Sequence, residues 1–225
     1  MANKNPKDRT EKIEENIEQT ASSTQEFFTK YGKTIVIAVA AVLVLGLGIL
    51  AYQKFVYQPK CSEAREQAYP AEQSFAAGEY EIALQGDGNN LGFADIIDNY
   101  GSKAGKAVYL YAGVCELQLG NFDSALKYLS KYNGKEPILQ ARAKACEGDA
   151  YVGLGDYSKA ASCFEAAAAV SDNVFAAAYL LKAGIAYEAL GDKTSALKSY
   201  NTIKDRYPQS IEAYDIKKYI ARVAE

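Results

Sequence analysis

Eighteen consecutive residues, 35–52, carry no charge and no strong helix breaker. As a helix they measure about 27 Å at about 1.5 Å per residue, close to the hydrocarbon thickness of a bilayer. Tyr31, Tyr52, Phe55 and Tyr57 flank the run beside Lys30, Lys33 and Lys54, as aromatic and basic residues do at a membrane interface. The run is too long for a cleavable leader, a polar tail of 1–33 precedes it, and no small-x-small site follows. A retained transmembrane anchor over 34–57 is therefore predicted. Ahead of it, Ile13, Ile17, Thr24, Phe28 and Tyr31 recur at helical spacing, so 8–30 reads either as a narrow amphipathic helix or as a solvated tail. Gly46 and Gly48 are not spaced as Gly-x-x-x-Gly, which gives helix dimerisation no support.

Behind the anchor the apolar positions keep a helical period, and within 106–209 that pattern repeats. Gly113, Gly148 and Gly184 stand 35 and 36 residues apart. Gly120, Gly155 and Gly191 keep the same spacing, and so do Ala125, Ala160 and Ala196. A glycine in mid-helix costs about 1 kcal/mol relative to alanine, which makes sense where another backbone comes close. The first glycine column is thus expected halfway along the first helix of a hairpin, with the alanine column on its partner. The second glycine column ends each first helix in the left-handed conformation. Asn121, Asp156 and Asp192 follow as expected N-caps of the second helices.

Three columns of small residues at this period resemble the tetratricopeptide repeat (TPR). The resemblance implies an all-α chain: one transmembrane helix, then a superhelix of helical hairpins closed by a terminal capping helix. Three units are expected, 106–136, 141–171 and 177–209, with Pro137 and Pro208 as punctuation after the first and third. A degenerate first unit occupies 61–105, because Gly78-Glu-Tyr-Glu-Ile-Ala83 echoes the 155–160 stretch before a glycine-rich loop at 85–90 displaces its second helix. Gly86, Gly88 and Gly92 lack the Gly-Lys-Ser/Thr and the preceding strand of a phosphate loop. Pro59 is expected to interrupt the helix after the membrane, and Pro70 either kinks the next helix or opens a new one. In 210–225, Ile211, Tyr214, Ile216, Tyr219, Ile220 and Val223 form the apolar face of a helix suited to covering the open end of a stack.

Composition narrows the function. The chain has no histidine, which removes Ser-His-Asp, Cys-His and His-ligated metal chemistry. A net charge of −3 without a basic block lacks the footprint of a nucleic-acid binder. Cys61, Cys115, Cys146 and Cys163 have no Cys-x-x-Cys spacing. Free thiols are expected, with a disulfide as the alternative if the domain is exported. Glu147, Asp149 and Glu188 are the acids an enzymatic reading would need, but nothing places a nucleophile or a second acid with them. No catalytic residue, cofactor, metal or small-molecule substrate is expected.

The tetratricopeptide resemblance implies a binding groove lined by the first helices. Its positions are Leu110, Tyr111, Val114, Leu117 and Gln118, then Arg142, Ala145, Cys146, Asp149 and Val152, then Ala178, Leu181, Lys182, Ile185 and Glu188. Val114, Asp149 and Ile185 occupy the places where a carboxylate-clamping repeat carries asparagine. The largely apolar groove suits an amphipathic helix or an extended apolar peptide, although some of these side chains would equally serve to pack neighbouring helices. Tyr132 and Ile203 replace the usual small residue late in the second helix, and Lys144 an aromatic.

Polar tail, single anchor and external repeats together resemble the YfgM-like ancillary subunits of the bacterial Sec translocon. That resemblance implies a single-pass protein of the bacterial inner membrane with its repeats in the periplasm, meeting translocon subunits or periplasmic chaperones. Lys4, Lys7, Arg9, Lys12, Lys30 and Lys33 precede the span and Lys54, Lys60 and Arg65 follow it, so a cytoplasmic N-terminus is expected. A scaffold for envelope or outer-membrane assembly, or a cytoplasm-facing adaptor, is the alternative.

Overall fold

The computed structural model describes residues 6–170 and 172–224. The chain divides into two compact units, Met1–Gln58 and Pro59–Glu225. In the first, α1 (Pro6–Tyr52) gives way to a single π-helical turn, Gln53–Tyr57. One helix here is long and apolar enough to cross a membrane. Val36, Ile37, Val44 and Leu47 are each 66–69% exposed. Side chains 6–24 and 26–28, on which the amphipathic reading of 8–30 mainly rests, lie outside the described residues. Pro59 does not interrupt the helix as expected: it lies within the helix Gln58–Ala76, which follows the π turn without a gap, and in that turn the Gln58 N–H donates to the Gln53 carbonyl. Proline has no N–H and crowds the carbonyl four residues back, and a widened turn relieves both.

The second unit contains α2 (Gln58–Ala76), α3 (Tyr80–Gln85), α4 (Phe93–Tyr100), α5 (Ala107–Gln118), α6 (Phe122–Leu129) and α7 (Pro137–Gly153). It continues with α8 (Tyr157–Val170), α9 (Val174–Ala189), α10 (Lys193–Arg206) and α11 (Ile211–Ala224). No β-strand occurs among the described residues, so the chain is all-α, a helical repeat fold behind one long apolar helix. Pro70 lies inside α2, and the glycine-rich loop separates α3 from α4.

Each hairpin turn is built the same way. Gly120, Gly155 and Gly191 have φ of +80°, +76° and +75°, a conformation that glycine adopts without the Cβ penalty. The Asn121, Asp156 and Asp192 N–H groups then reach back to Glu116, Tyr151 and Tyr187 carbonyls at 2.9 Å, closing a Schellman turn. Gly78 repeats the device at φ +81°, with the Glu79 N–H on the Ser74 carbonyl at 2.9 Å. Asp156 and Asp192 cap the second helices, accepting from the Lys159 and Ser195 N–H groups at 3.1 and 3.0 Å. Asn121 does not: its side-chain amide donates to Glu116 at 2.8 Å, leaving α6 without a side-chain cap.

Packing explains the first glycine column, and corrects the reason expected for it. What comes nearest over each glycine is a large side chain sixteen residues further on; at Gly113 the partner backbone follows, with the Leu129 N 3.3 Å from such a Cβ. A Cβ built on Gly113 would stand 2.6 Å from Leu129 Cγ and one on Gly148 2.6 Å from Phe164 Cε1, while one on Gly184 would press closer still on Tyr200 Cε1. Ala125, Ala160 and Ala196 are fully buried beside these contacts. First helices are buried on two sides: α5 gives Val108, Ala112 and Cys115 to the core before it and Leu110 and Val114 to the core after it. α7 divides likewise, with Ala143, Cys146 and Ala150 facing back and Ala141 and Ala145 facing forward. At the end of the stack, α11 lays Ile216 and Val223 against Tyr200 and Ile203.

Candidate protein-binding groove

Where α7, α8 and α9 meet, they leave a cavity of about 400 Å³ lined by Asp149, Val152, Tyr157, Phe164, Lys182 and Ile185, with Ala186 and Ala189 completing it. Asp149 and Val152 are three apart on α7, as are Lys182 and Ile185 on α9, so each pair shares a helix face. The Lys182 ammonium donates to both Asp149 carboxylate oxygens, at 2.7 and 2.8 Å. It also stands 5.5 Å from the centre of the Phe164 ring, within reach of a cation–π attraction. The two charges in the groove therefore satisfy each other. What remains open is apolar: Val152 is 40% and Ile185 44% exposed.

The other expected groove residues are placed elsewhere. Leu110 and Val114 belong to the core, so a charge at Leu110 would test folding rather than binding. Tyr111 stacks among aromatics, 5.0 Å from Phe75 and 5.5 Å from Phe93 between ring centres. Leu117 and Leu181 are half-buried against neighbouring cores, and Ala145 and Cys146 are buried. Arg142 and Gln118 are exposed on α7 and α5, and Ala178 is half-buried on α9. Tyr157 and Phe164 come from a second helix, a source the first-helix reasoning did not cover. No column of identical residues marked Phe164, because Leu129, Phe164 and Tyr200 fill the equivalent place with three different side chains.

Glu188 turns towards the terminal helix instead. Its carboxylate accepts from Arg222 Nε at 2.8 Å and Nη2 at 2.7 Å, and from the buried Tyr200 hydroxyl. Burial pushes the Glu188 carboxyl up, but the hydrogen bonds from Arg222 and Tyr200 outweigh it and hold the group below its ordinary 4.5. Burial and the bond to Glu188 push the Tyr200 hydroxyl up. A carboxyl whose folded value lies below its unfolded one adds stability that is present above about pH 4.5 and lost as pH falls through the folded value. Glu188→Gln should cost about 1–1.5 kcal/mol at neutral pH, and urea titrations should show that gap narrowing below about pH 4.5. A gap that held constant into acid would remove Glu188 as the source.

The three acids that an enzymatic reading would use are each held by a cation. Glu147 pairs with Lys144, Asp149 with Lys182, and Glu188 with Arg222, all at 2.7 Å. Cys115 and Cys146 are buried in successive cores while Cys61 and Cys163 are half-buried, all as thiols. Burial pushes the Cys115 thiol up to about 12, away from the thiolate that nucleophilic chemistry needs.

Residues 147–211 match the family model of the tetratricopeptide repeat. That stretch runs from the later turns of α7 to the first residue of α11, and takes in the whole α8–α9 wall of the groove. No curated protein sequence matches the chain.

Proposed function

We propose that this tetratricopeptide repeat chain is a membrane-tethered scaffold that binds proteins through the α7–α9 groove. The observation that carries the reading is the Asp149–Lys182 pair: by neutralising each other, these side chains leave a concave surface whose open part is Val152, Ile185 and Ala189. Such a surface suits the apolar face of an amphipathic helix, or an extended apolar peptide. Leu110, Tyr111, Val114, Leu117, Leu181 and Glu188 support it by setting the helix positions, and Arg142 stands exposed on α7. A membrane anchor confines the repeats to within tens of ångströms of the bilayer and raises their effective concentration for membrane partners, so weak apolar contacts suffice. The charge order along the chain and its resemblance to translocon-associated repeat proteins favour the periplasmic side of a bacterial inner membrane, near the Sec translocon or its chaperones.

The test is a photo-crosslinking residue at Ala189 in the full-length protein in native membranes. Val152→Glu with Ile185→Glu replaces two exposed side chains, so the melting midpoint should hold while crosslinked adducts largely disappear. Adducts that persist in the double variant would place binding on another surface.

A further inference from the structure

A second concavity, of about 770 Å³, lies on the other side of α7 from the groove. Glu147 lines it while Asp149 lines the groove, and two residues along a helix turn the side chain by about 200°. Three lysines reach this cavity from three elements: Lys127 from α6, Lys135 from the α6–α7 loop and Lys144 from α7. Glu147 is its one carboxylate among the described residues, and Lys144 already holds it at 2.7 Å. Lys127 and Lys135 make no ion pair among the described residues. Between them stand uncharged hydrogen-bonding groups, Ser130, Asn133 and Gln140.

The wall of the cavity is held in place before any ligand arrives. Gln140 Nε2 donates to the Gly134 carbonyl at 2.7 Å, and Lys106 Nζ donates to the Asn133 carbonyl at 3.2 Å. The loop is thus tied to α7 on one side and to the start of α5 on the other. The Tyr132 ring closes over Gly134 so tightly that a Cβ there would stand 2.8 Å from its Cε2. A loop fixed in this way spends little ordering entropy on binding.

We propose that this cavity binds an acidic segment of a partner polypeptide, at a site separate from the α7–α9 groove and independent of it. Cations carried on three elements match carboxylates spaced along a chain. A phosphate or lipid headgroup is better served by donors converging on one point, such as an arginine fork or a helix N-terminus, and no arginine lines the cavity. Leu126 and Val170 add apolar surface beside the lysines, which an aliphatic side chain uses and a hydrated headgroup does not. The volume falls within the range of sites that enclose a small ligand or a few residues.

The experiment uses the full chain in nanodiscs of neutral phosphatidylcholine and a short fluorescein-labelled peptide of Asp, Glu and Leu, followed by anisotropy. Binding should weaken as salt is raised. Lys127→Glu with Lys135→Glu should weaken it about tenfold, and Val152→Glu with Ile185→Glu should leave it unchanged. Both lysines are exposed, so the melting midpoint should hold. If it falls, Lys127→Gln with Lys135→Gln replaces the charge-reversed pair and must still weaken binding about threefold. The proposal fails if the lysine variants bind like wild type, if a Lys-Leu peptide binds equally well, or if the lysines affect only binding to phosphatidylglycerol vesicles. Loss in the groove variant with none in the lysine variant would overturn it too, while leaving the groove reading standing.

Discussion

Gly184→Val should destabilise the repeat unit by about 3 kcal/mol, Gly148→Val by less and Gly113→Val by least. A new Cβ would stand 2.6 Å from the nearest Phe164 or Leu129 atom at Gly148 and Gly113, and closer still to Tyr200 Cε1 at Gly184. The side chains also differ in how far they can retreat. Leu129 has rotamers to spare, although it is buried. Phe164 is a rigid ring in a core of alanines. Tyr200 is rigid and also fastened at its hydroxyl to Glu188, so retreat would break a hydrogen bond to a buried-side carboxylate. Urea unfolding of the full chain in detergent, read by the near-ultraviolet tyrosine signal, checks the order. A Gly113→Val cost equal to that of Gly184→Val would show that neither the closeness nor the stiffness of the facing side chain decides. Gly148→Ala combined with Phe164→Leu should cost less than the two changes summed, because the smaller side chain makes room for the new methyl.

The same contacts show which features a single sequence makes legible. Columns of identical residues were readable: Gly120, Gly155 and Gly191 carry the positive φ expected of them, and Ala125, Ala160 and Ala196 the burial. The column facing the first glycines was not, because Leu, Phe and Tyr meet one steric need with three chemistries. Asn121 has the residue type of a cap, yet Glu116, five residues back across the turn, competes for its amide. Periodicity could not say which first-helix residues line a groove. A first helix packs against the hairpins on both sides, so in α9 core residues such as Ala183 and Ala186 and open ones such as Ile185 alternate within a helix apolar nearly all round. The partner of Glu188 was illegible for a simpler reason: Arg222 is 34 residues away, on a helix whose docking no local pattern fixes.

Ile216→Ala should cost about 2–5 kcal/mol, and the loss should stay at one end of the array. Ile216 is 1% exposed and sits among Tyr200, Ile203 and Val223, so truncation removes transfer energy and leaves a cavity. In a stack of hairpins each core touches only its neighbours, and stability is close to a sum of local terms. Losing the hold of α11 therefore uncovers Tyr200 and Ile203 and frees Arg222 from Glu188, weakening α10 and α9 next. The α5–α6 hairpin packs on α3, α4 and α7 and keeps all of its contacts. Hydrogen exchange should accordingly show protection lost through α10 and α11, reduced in α9, and unchanged in α5 and α6. The Glu188 pair offers a second reading of the same event: once α11 detaches, the acid-dependent stability that Arg222 contributes through Glu188 should be lost, since the carboxylate then has water where Arg222 stood and only the Tyr200 hydrogen bond remains. An Ile216→Ala protein whose α5–α6 amides exchanged as fast as those of α11 would behave as a single cooperative block, and the nearest-neighbour account of this fold would have to be abandoned.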